Sequence, residues 1–364
     1  MIIFYLFVRV YSCCTSTKMR PIIARLAVLV VPAAHAAPPL WPQPFAYTNG
    51  TGVVTVAPTE GGADFFVLDS DDECATLTTA FSRYAGLTFP HPASAPSKAT
   101  RAQAAAQAGA ISSLTVKVVS LDESFPALAT DESYTLSVPS DGGAAAATLS
   151  AATIYGALRG LETFSQLVVF DFETRTYEVA GAPLIIEDAP RFAHRGLMVD
   201  SARHFLPLAT LERAVDAMAY AKLNVLHWHM VDTQSFPFEV AAVPALWAGA
   251  FSARERYLQE EVSGLVEYAR QRGVRVVVEF DVPGHAASWC AGRPDVCPSS
   301  TCLGEFLRFF SFEFVADPSL SRTESMPHAT LHNPPLFIYS FIYIISSSSL
   351  LLRRTLKRRI ERDL

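Results

Sequence analysis

Three short segments concentrate residue types that can do chemistry. Asp200-Ser201-Ala202-Arg203-His204 follows an apolar run at Gly196 to Val199, and His227-Trp228-His229-Met230-Val231-Asp232 closes a second run. Glu279-Phe280-Asp281-Val282-Pro283-Gly284-His285 closes a third, rich in valine. A guanidinium offers several donors in a fixed fork, which suits hydroxyls and carboxylates. A carboxylate beside an imidazole raises the imidazole pKa and fixes its tautomer, a partnership that can tune a proton donor. Two histidines two apart on a strand face the same side. His227 and His229 could therefore hold a metal, with Asp232 and His285 as further ligands, as in a metal-dependent hydrolase. Against that reading, Trp228 and Phe236-Pro237 read as an aromatic wall for the apolar face of a sugar ring.

The elements that must position these residues alternate in type. Beyond Ala189-Pro190 the chain reads as an apolar strand at Gly196 to Val199, then a helix after Pro207 with Leu208, Leu211, Val215 and Met218 on one face. A strand follows at Val225 to Met230. A second helix carries Val262, Leu265, Val266 and Ala269 and is stopped by Gly273, and a third strand runs from Val274 to Phe280. Repeated βα units with Val-rich strands predict a parallel sheet. Ligands of such sheets bind at the carboxyl ends of the strands, where all three reactive segments lie. A TIM barrel and an open doubly wound sheet both fit, and the lack of a GxGxxG after a strand lowers the nucleotide-binding version.

The region before Ala189 has a different rhythm. Val53 to Val56, Phe65 to Leu68, Leu114 to Val119 and Tyr134 to Val138 predict strands. Cys74 to Tyr84 predicts a helix ending at Gly86, and Ile154 to Val168 an amphipathic one with Ile154, Ala157, Leu158, Leu161 and Phe164 on its apolar face. His91 to Ala110 is loop-like in composition. This is an α+β pattern with no evident chemistry in it.

The 364 residues are enough for two domains, and half are hydrophobic. A formal net charge of −6 with no dominant basic face argues against a nucleic-acid partner. The six cysteines form no zinc-type pair. Met19-Arg20, the apolar run Ile22 to Val31 and Ala34-His35-Ala36 predict a cleaved secretory signal, with translation beginning at Met19. Asn49-Gly50-Thr51 is a glycosylation sequon that suits that route.

At this point a resemblance becomes specific. Arg195 to Pro207 is similar to the opening catalytic strand of glycoside hydrolase family 20, Asn224 to Asp232 resembles its second strand, and Glu279 to His285 its third. Gly156 to Leu167 resembles the helix that precedes the barrel in eukaryotic lysosomal-type β-N-acetylhexosaminidases. The resemblance implies an α/β chain: an α+β N-terminal domain at 37–188, then an incomplete (β/α)8 TIM barrel at 189–300. Residues 1–36 are the signal region and 301–364 a tail outside the family. It implies a retaining exo-hydrolase acting on N-acetylhexosamine-terminated glycans. In such an enzyme the substrate's own acetamido oxygen attacks the anomeric carbon, an exception among glycosidases. Arg203 would grip hydroxyls of the terminal sugar, and Asp232 paired with His285 would support the general acid. No cofactor or metal is implied. The destination is lysosome, vacuole or cell exterior, and a homo- or heterodimer is compatible.

The chain also departs from the family pattern. The family's acid is an Asp-Glu pair after a Gly-Gly at the fourth strand, and no Asp-Glu occurs downstream of His285. Asp72-Glu73, Asp122-Glu123 and Asp131-Glu132 all precede the barrel pattern, and Leu303-Gly304-Glu305 follows no further βα unit. The expectation is therefore a chain inactive by itself, with a non-catalytic sugar-binding remnant or a partner of a complete subunit as the alternative. Cys74 and Cys297 match half-cystine positions of the family, and Cys290–Cys302 and Cys297–Cys302 are the bridges left open.

Overall fold

The computed structural model describes residues 39–58, 62–91, 110–140, 146–282 and 284–297. The signal segment, most of the 91–110 loop and the 301–364 tail lie outside them.

Two sheets organise the described residues. The first contains β1 (Ala46–Val56), β2 (Phe66–Leu68), β3 (Leu114–Ser120), β4 (Tyr134–Val138), β5 (Ala147–Thr153), β6 (Val169–Asp171) and β7 (Thr176–Asp188). Their order is β1-β7-β4-β5-β3-β2, with β6 on β7. The β1/β7, β7/β4 and β4/β5 pairs are antiparallel, and β5/β3 and β3/β2 are parallel. Two helices, α1 (Ala75–Thr88) and α2 (Ile154–Leu167), supply the rest of its apolar core. α1 runs two residues past Gly86, the predicted stop. Phe89 ends it, because Pro90 disfavours a helical conformation in the residue before it.

α2 explains how the sheet and helix come so close. Thr153 caps it, its Oγ1 accepting from the Gly156 N–H at 3.2 Å. Ile154, Ala157, Leu158, Leu161 and Phe164 are buried as the periodicity predicts. A β-carbon at Gly160 would lie 2.2 Å from Leu149 Cδ1, so only glycine permits this contact with β5.

The second sheet is β8 (Gly196–Asp200), β9 (Val225–Val231) and β10 (Arg275–Phe280), all parallel, with β9 central. α3 (Leu208–Tyr220) and α4 (Gln259–Arg270) connect them and pack on one face. A short helix, α5 (Trp289–Gly292), follows. The chain is thus an α/β protein whose parallel strands fall where the valine-rich runs predict them.

The two αβ turns are built alike. α4 ends with Gly273 at φ +69, where Val274 N–H donates to Ala269 O and Gly273 N–H to Arg270 O, both at 2.9 Å. This is the paired-bond ending that favours glycine. The turn after α3 puts Lys222 at the corresponding place, with φ +54, and Leu223 N–H donates to Met218 O at 2.8 Å. The turn after α3 reaches the first sheet, and both turns reach its helix α2. Lys222 Nζ donates to Asp188, Tyr134 and Thr163, each at 2.8 Å, and Arg159 of α2 donates to Gly273 O at 2.7 Å. The first sheet therefore meets the second at the amino ends of its strands, leaving the carboxyl ends clear.

One disulfide joins Cys290 to Cys297, with Cα atoms 5.8 Å apart, and Cys74 is buried and free. This corrects the expected alternatives: the seven-residue loop closes on itself without Cys302, which lies outside the described residues.

Candidate functional site

Strand alternation sorts the side chains of β9. Leu226, Trp228 and Met230 point into the helix-covered core, whereas His227 and His229 point to the opposite face. The parallel register then sets Asp200 of β8 and Glu279 of β10 on either side of His229. This face is partly open to solvent, with Met198 56% and Val277 39% exposed.

Just past the strand ends lies the fully buried carboxylate of Asp232. Its Oδ2 receives His229 Nε2 at 2.9 Å and Arg203 Nη2 at 2.7 Å. Its Oδ1 receives the Thr233 N–H at 2.5 Å and faces His285 Nδ1 at 3.3 Å. Burial pushes the Asp232 carboxyl upward, but bonds from His229 and Thr233, with the Arg203 charge, outweigh it and hold the group below the usual carboxylate range. Ser288 Oγ donates to the Asp232 carbonyl at 2.6 Å, fixing the backbone as well.

The partners are themselves held. Arg203 contacts Asp200 Oδ2 and donates through Nε to Gln234 at 3.2 Å, while Asp200 Oδ1 accepts the Ala202 and Arg203 N–H groups. These bonds place the guanidinium at the open edge of the cluster, 39% exposed. His285 sits at φ +55, a left-handed conformation that a non-glycine residue adopts at a cost of about 1–3 kcal/mol. Its ring is half exposed and reaches Asp232 from the solvent side. Glu279 Oε2 takes His227 Nε2 at 2.5 Å and His229 Nδ1 at 3.0 Å. Burial raises the Glu279 carboxyl, yet its two histidine partners bring it below its ordinary value.

Arg203, Asp232 and His285, singled out from the sequence, are thus brought together. Sequence reasoning missed His229 and Glu279 as their partners. The signal was present: two histidines on one strand face, flanked in a parallel sheet by strands that end in Asp and Glu.

One expectation is corrected. Trp228 and Phe236-Pro237 do not wall a ligand site. Trp228 is fully buried on the opposite face, with Nε1 bonded to Ser201 Oγ at 2.8 Å and its ring 5.1 Å from Tyr257. Phe236 is equally buried, edge-on to Trp289 at 5.1 Å. A residue between two outward histidines on a strand must face inward. The metal reading also fits poorly. His229, Asp232 and Asp281 place ligand atoms within 4.8 Å of one another. Both ring nitrogens of His229, however, already address carboxylates, and Arg203 donates into Asp232 Oδ2. A divalent ion would have to displace the guanidinium.

The parallel βαβαβ run, with ionisable side chains gathered at its carboxyl ends, defines a class: an α/β scaffold of the kind that carries active sites at strand ends. The family follows from comparison with known proteins. The catalytic-domain model of glycosyl hydrolase family 20 matches residues 192–324, and a beta-acetyl hexosaminidase-like model matches residues 40–167. Beta-hexosaminidase 1 of Arabidopsis thaliana is 40% identical over 311 residues, covering 84% of this chain and 57% of that protein. Beta-hexosaminidase subunit beta of Homo sapiens is 36% identical over 305 residues, covering 80% and 51%. Among solved structures, the chitobiase of Flavobacterium johnsoniae aligns with a TM-score of 0.54 at 29% identity, over 71% of this chain and 36% of that one. The N-acetyl-beta-hexosaminidase of Streptomyces plicatus shares the fold at 22% identity with a TM-score of 0.53 over 72% of this chain and 49% of that one. The chain belongs to glycosyl hydrolase family 20, a family of glycosidases. It spans about half the length of the curated relatives it matches.

Proposed function

We propose that this chain carries the sugar-gripping half of a β-N-acetylhexosaminidase site, on the first three βα units of a (β/α)8 barrel at 189–300 that follows an α+β domain at 37–188. The observation that supports this best is the convergence of Arg203, His229 and His285 on one buried carboxylate, Asp232, at the carboxyl ends of parallel strands. Arg203 keeps part of its guanidinium exposed beyond Asp200 and Asp232, and those donors would take hydroxyls of a terminal N-acetylhexosamine. Asp232 and His285 form an acid-supporting pair that would hold and tune a proton donor above them. In the full reaction the acetamido oxygen of the sugar attacks the anomeric carbon while that donor protonates the leaving oxygen.

The 364 residues contain no Asp-Glu pair beyond His285. Without an acid, these residues alone forgo a contribution on the order of 100- to 10,000-fold. They bind the sugar, alone or beside a complete subunit in a dimer, and hydrolyse an aryl N-acetylglucosaminide negligibly. The route is secretory, with residues 1–36 as the signal region, translation beginning at Met19, and the lysosome, vacuole or cell exterior as destination.

Calorimetric titration of the chain with an N-acetylglucosamine-derived inhibitor tests the reading. Saturable binding that Arg203→Ala weakens is the expected outcome. A folded chain with no binding overturns it, and turnover matching a full-length relative overturns the inactivity.

A further inference from the structure

His229 stands between two carboxylates. Its Nδ1 faces Glu279 Oε2 at 3.0 Å and its Nε2 faces Asp232 Oδ2 at 2.9 Å. A neutral imidazole has one donor and one acceptor nitrogen, so it can satisfy only one carboxylate and must turn a lone pair on the other. The arrangement therefore needs one additional proton, on the ring or on a carboxylate oxygen.

The neighbours decide where that proton resides. Asp232 already accepts from Arg203 and from the Thr233 N–H and faces His285, a donor set that stabilises its ionised form. Glu279 faces His227 as well as His229 through the same oxygen. Asp200, the register neighbour of His229 on β8, and Asp281, with a carboxylate oxygen within 4.8 Å of a ring nitrogen of His229, add further negative charge, and Arg203 stands beyond Asp232 as the opposing positive one. Both carboxylates thus have other reasons to stay ionised, and the imidazole is the one base left to take the proton. Burial of the ring works against its charge, but the bonds to Glu279 and Asp232 outweigh it and raise its affinity for the proton.

We infer that His229 is a standing imidazolium clamped by Glu279, and that Glu279 acts through it as a positioning residue for Asp232. The inference rests on the sugar-site reading only for its consequence. A cation fixed at Asp232 Oδ2 keeps that carboxylate ionised and stops it turning away from Arg203 and His285. Glu279 touches none of Asp232, Arg203 or His285 directly, so its influence passes along the ring of His229. His227 binds the same Glu279 oxygen from the solvent side and closes the series.

The test is nitrogen NMR of the full chain labelled at its nine histidines, with His229→Gln used for assignment. At pH 7.5 a free imidazole is about nine-tenths neutral. His229 is expected to show both nitrogens protonated there. Glu279→Gln is expected to lower its protonation constant by about tenfold or more, and Glu279→Asp to recover part of that loss. The inhibitor titration run beside it should weaken by about tenfold in Glu279→Gln. A neutral His229 at pH 7.5 in the unsubstituted chain overturns the inference without any variant. So does a His229 midpoint, or an inhibitor affinity, that Glu279→Gln leaves unmoved. An imidazolium present with no inhibitor binding sinks the sugar-site reading and leaves the charge arrangement standing.

Discussion

The chain holds two networks built around a buried carboxylate, and they differ in what surrounds the charge. At the junction of the sheets, Glu132 takes Arg159 Nε at 2.7 Å, Arg195 Nη2 at 2.5 Å and the Asn224 amide at 2.7 Å. Arg159 is itself buried and spends its remaining donors on carbonyls of Arg272, Gly273 and Leu223. At the strand ends, Asp232 is equally buried, but Arg203 and His285 are well exposed. Burial of a charge does not by itself mark a working site. Glu132 has partners that are largely buried and spend most of their donors on backbone carbonyls, and it serves as a rivet. Asp232 has partners whose other face meets solvent, and a ligand can take up what remains. The hydrogen-bond inventory of the partners, more than the depth of the acid, separates the two.

Removing each carboxylate breaks the comparison most directly. Glu132→Ala leaves two guanidiniums facing each other without compensation, and a loss of about 3–5 kcal/mol in denaturant unfolding is expected. Inhibitor affinity of the folded fraction should be unchanged, because the network lies at the opposite end of the strands. Asp232→Ala should cost less stability, about 1–3 kcal/mol, since water can reach Arg203 and His285. It should abolish inhibitor binding. Equal stability losses would erase the distinction.

Arg203→Lys sharpens the functional side. Lysine keeps a positive charge beside Asp200 and Asp232 at a position open to solvent, so thermal unfolding should move little, by about 1 kcal/mol or less. Lysine cannot reproduce the fork that spans Asp200, Asp232 and Gln234. Loss of one charged hydrogen bond to a sugar hydroxyl, about 1.5–3 kcal/mol, should raise the inhibitor Kd about ten- to a hundredfold.

The smallest effect expected is in the pH dependence. Glu132, Asp232 and Glu279 are all held below their ordinary values once favourable bonds outweigh burial. Their contribution is present above the unfolded value near pH 4 and is lost as pH falls through the folded values. Both networks should therefore weaken in acid. His229 is shifted the other way, with burial outweighed by Glu279 and Asp232. Its contribution is complete below about pH 6.5 and is lost as pH rises through the raised folded value. Stability profiles should show this alkaline limb, and His229→Gln should remove it and shrink the acid limb to what Glu132 and the remaining partners of Asp232 and Glu279 sustain.

Legibility in the sequence followed element type. β8, β9, β10, α3 and α4 were readable because apolar periodicity and the Gly273 stop are local signals. β5 and β7 were not. Ala147–Thr153 is made of small and polar residues, and Thr176–Asp188 contains Gly181 and Pro183, so neither reads as a strand from its own residues. β7 exists because β1 and β4 pair on either side of it. The error over Trp228 was avoidable, since strand alternation alone places it opposite its two histidines. The choice of Cys297 as partner of Cys290 was not, because only the folded loop brings them together.

By itself the sequence determined that Asp200, Arg203, His229, Asp232, Glu279 and His285 belong to strand ends, and that their order is that of family 20. Spacing along a chain carries that information because strand and helix periods are local. Only the tertiary structure decided which base meets which acid. The parallel register sets Asp200, His229 and Glu279 abreast, across 29 residues from β8 to β9 and 50 from β9 to β10. The loops then return Arg203 and His285 to a single buried oxygen pair. No local pattern encodes those distances. They follow from packing α3 and α4 on one face, which leaves the other face to gather the charges.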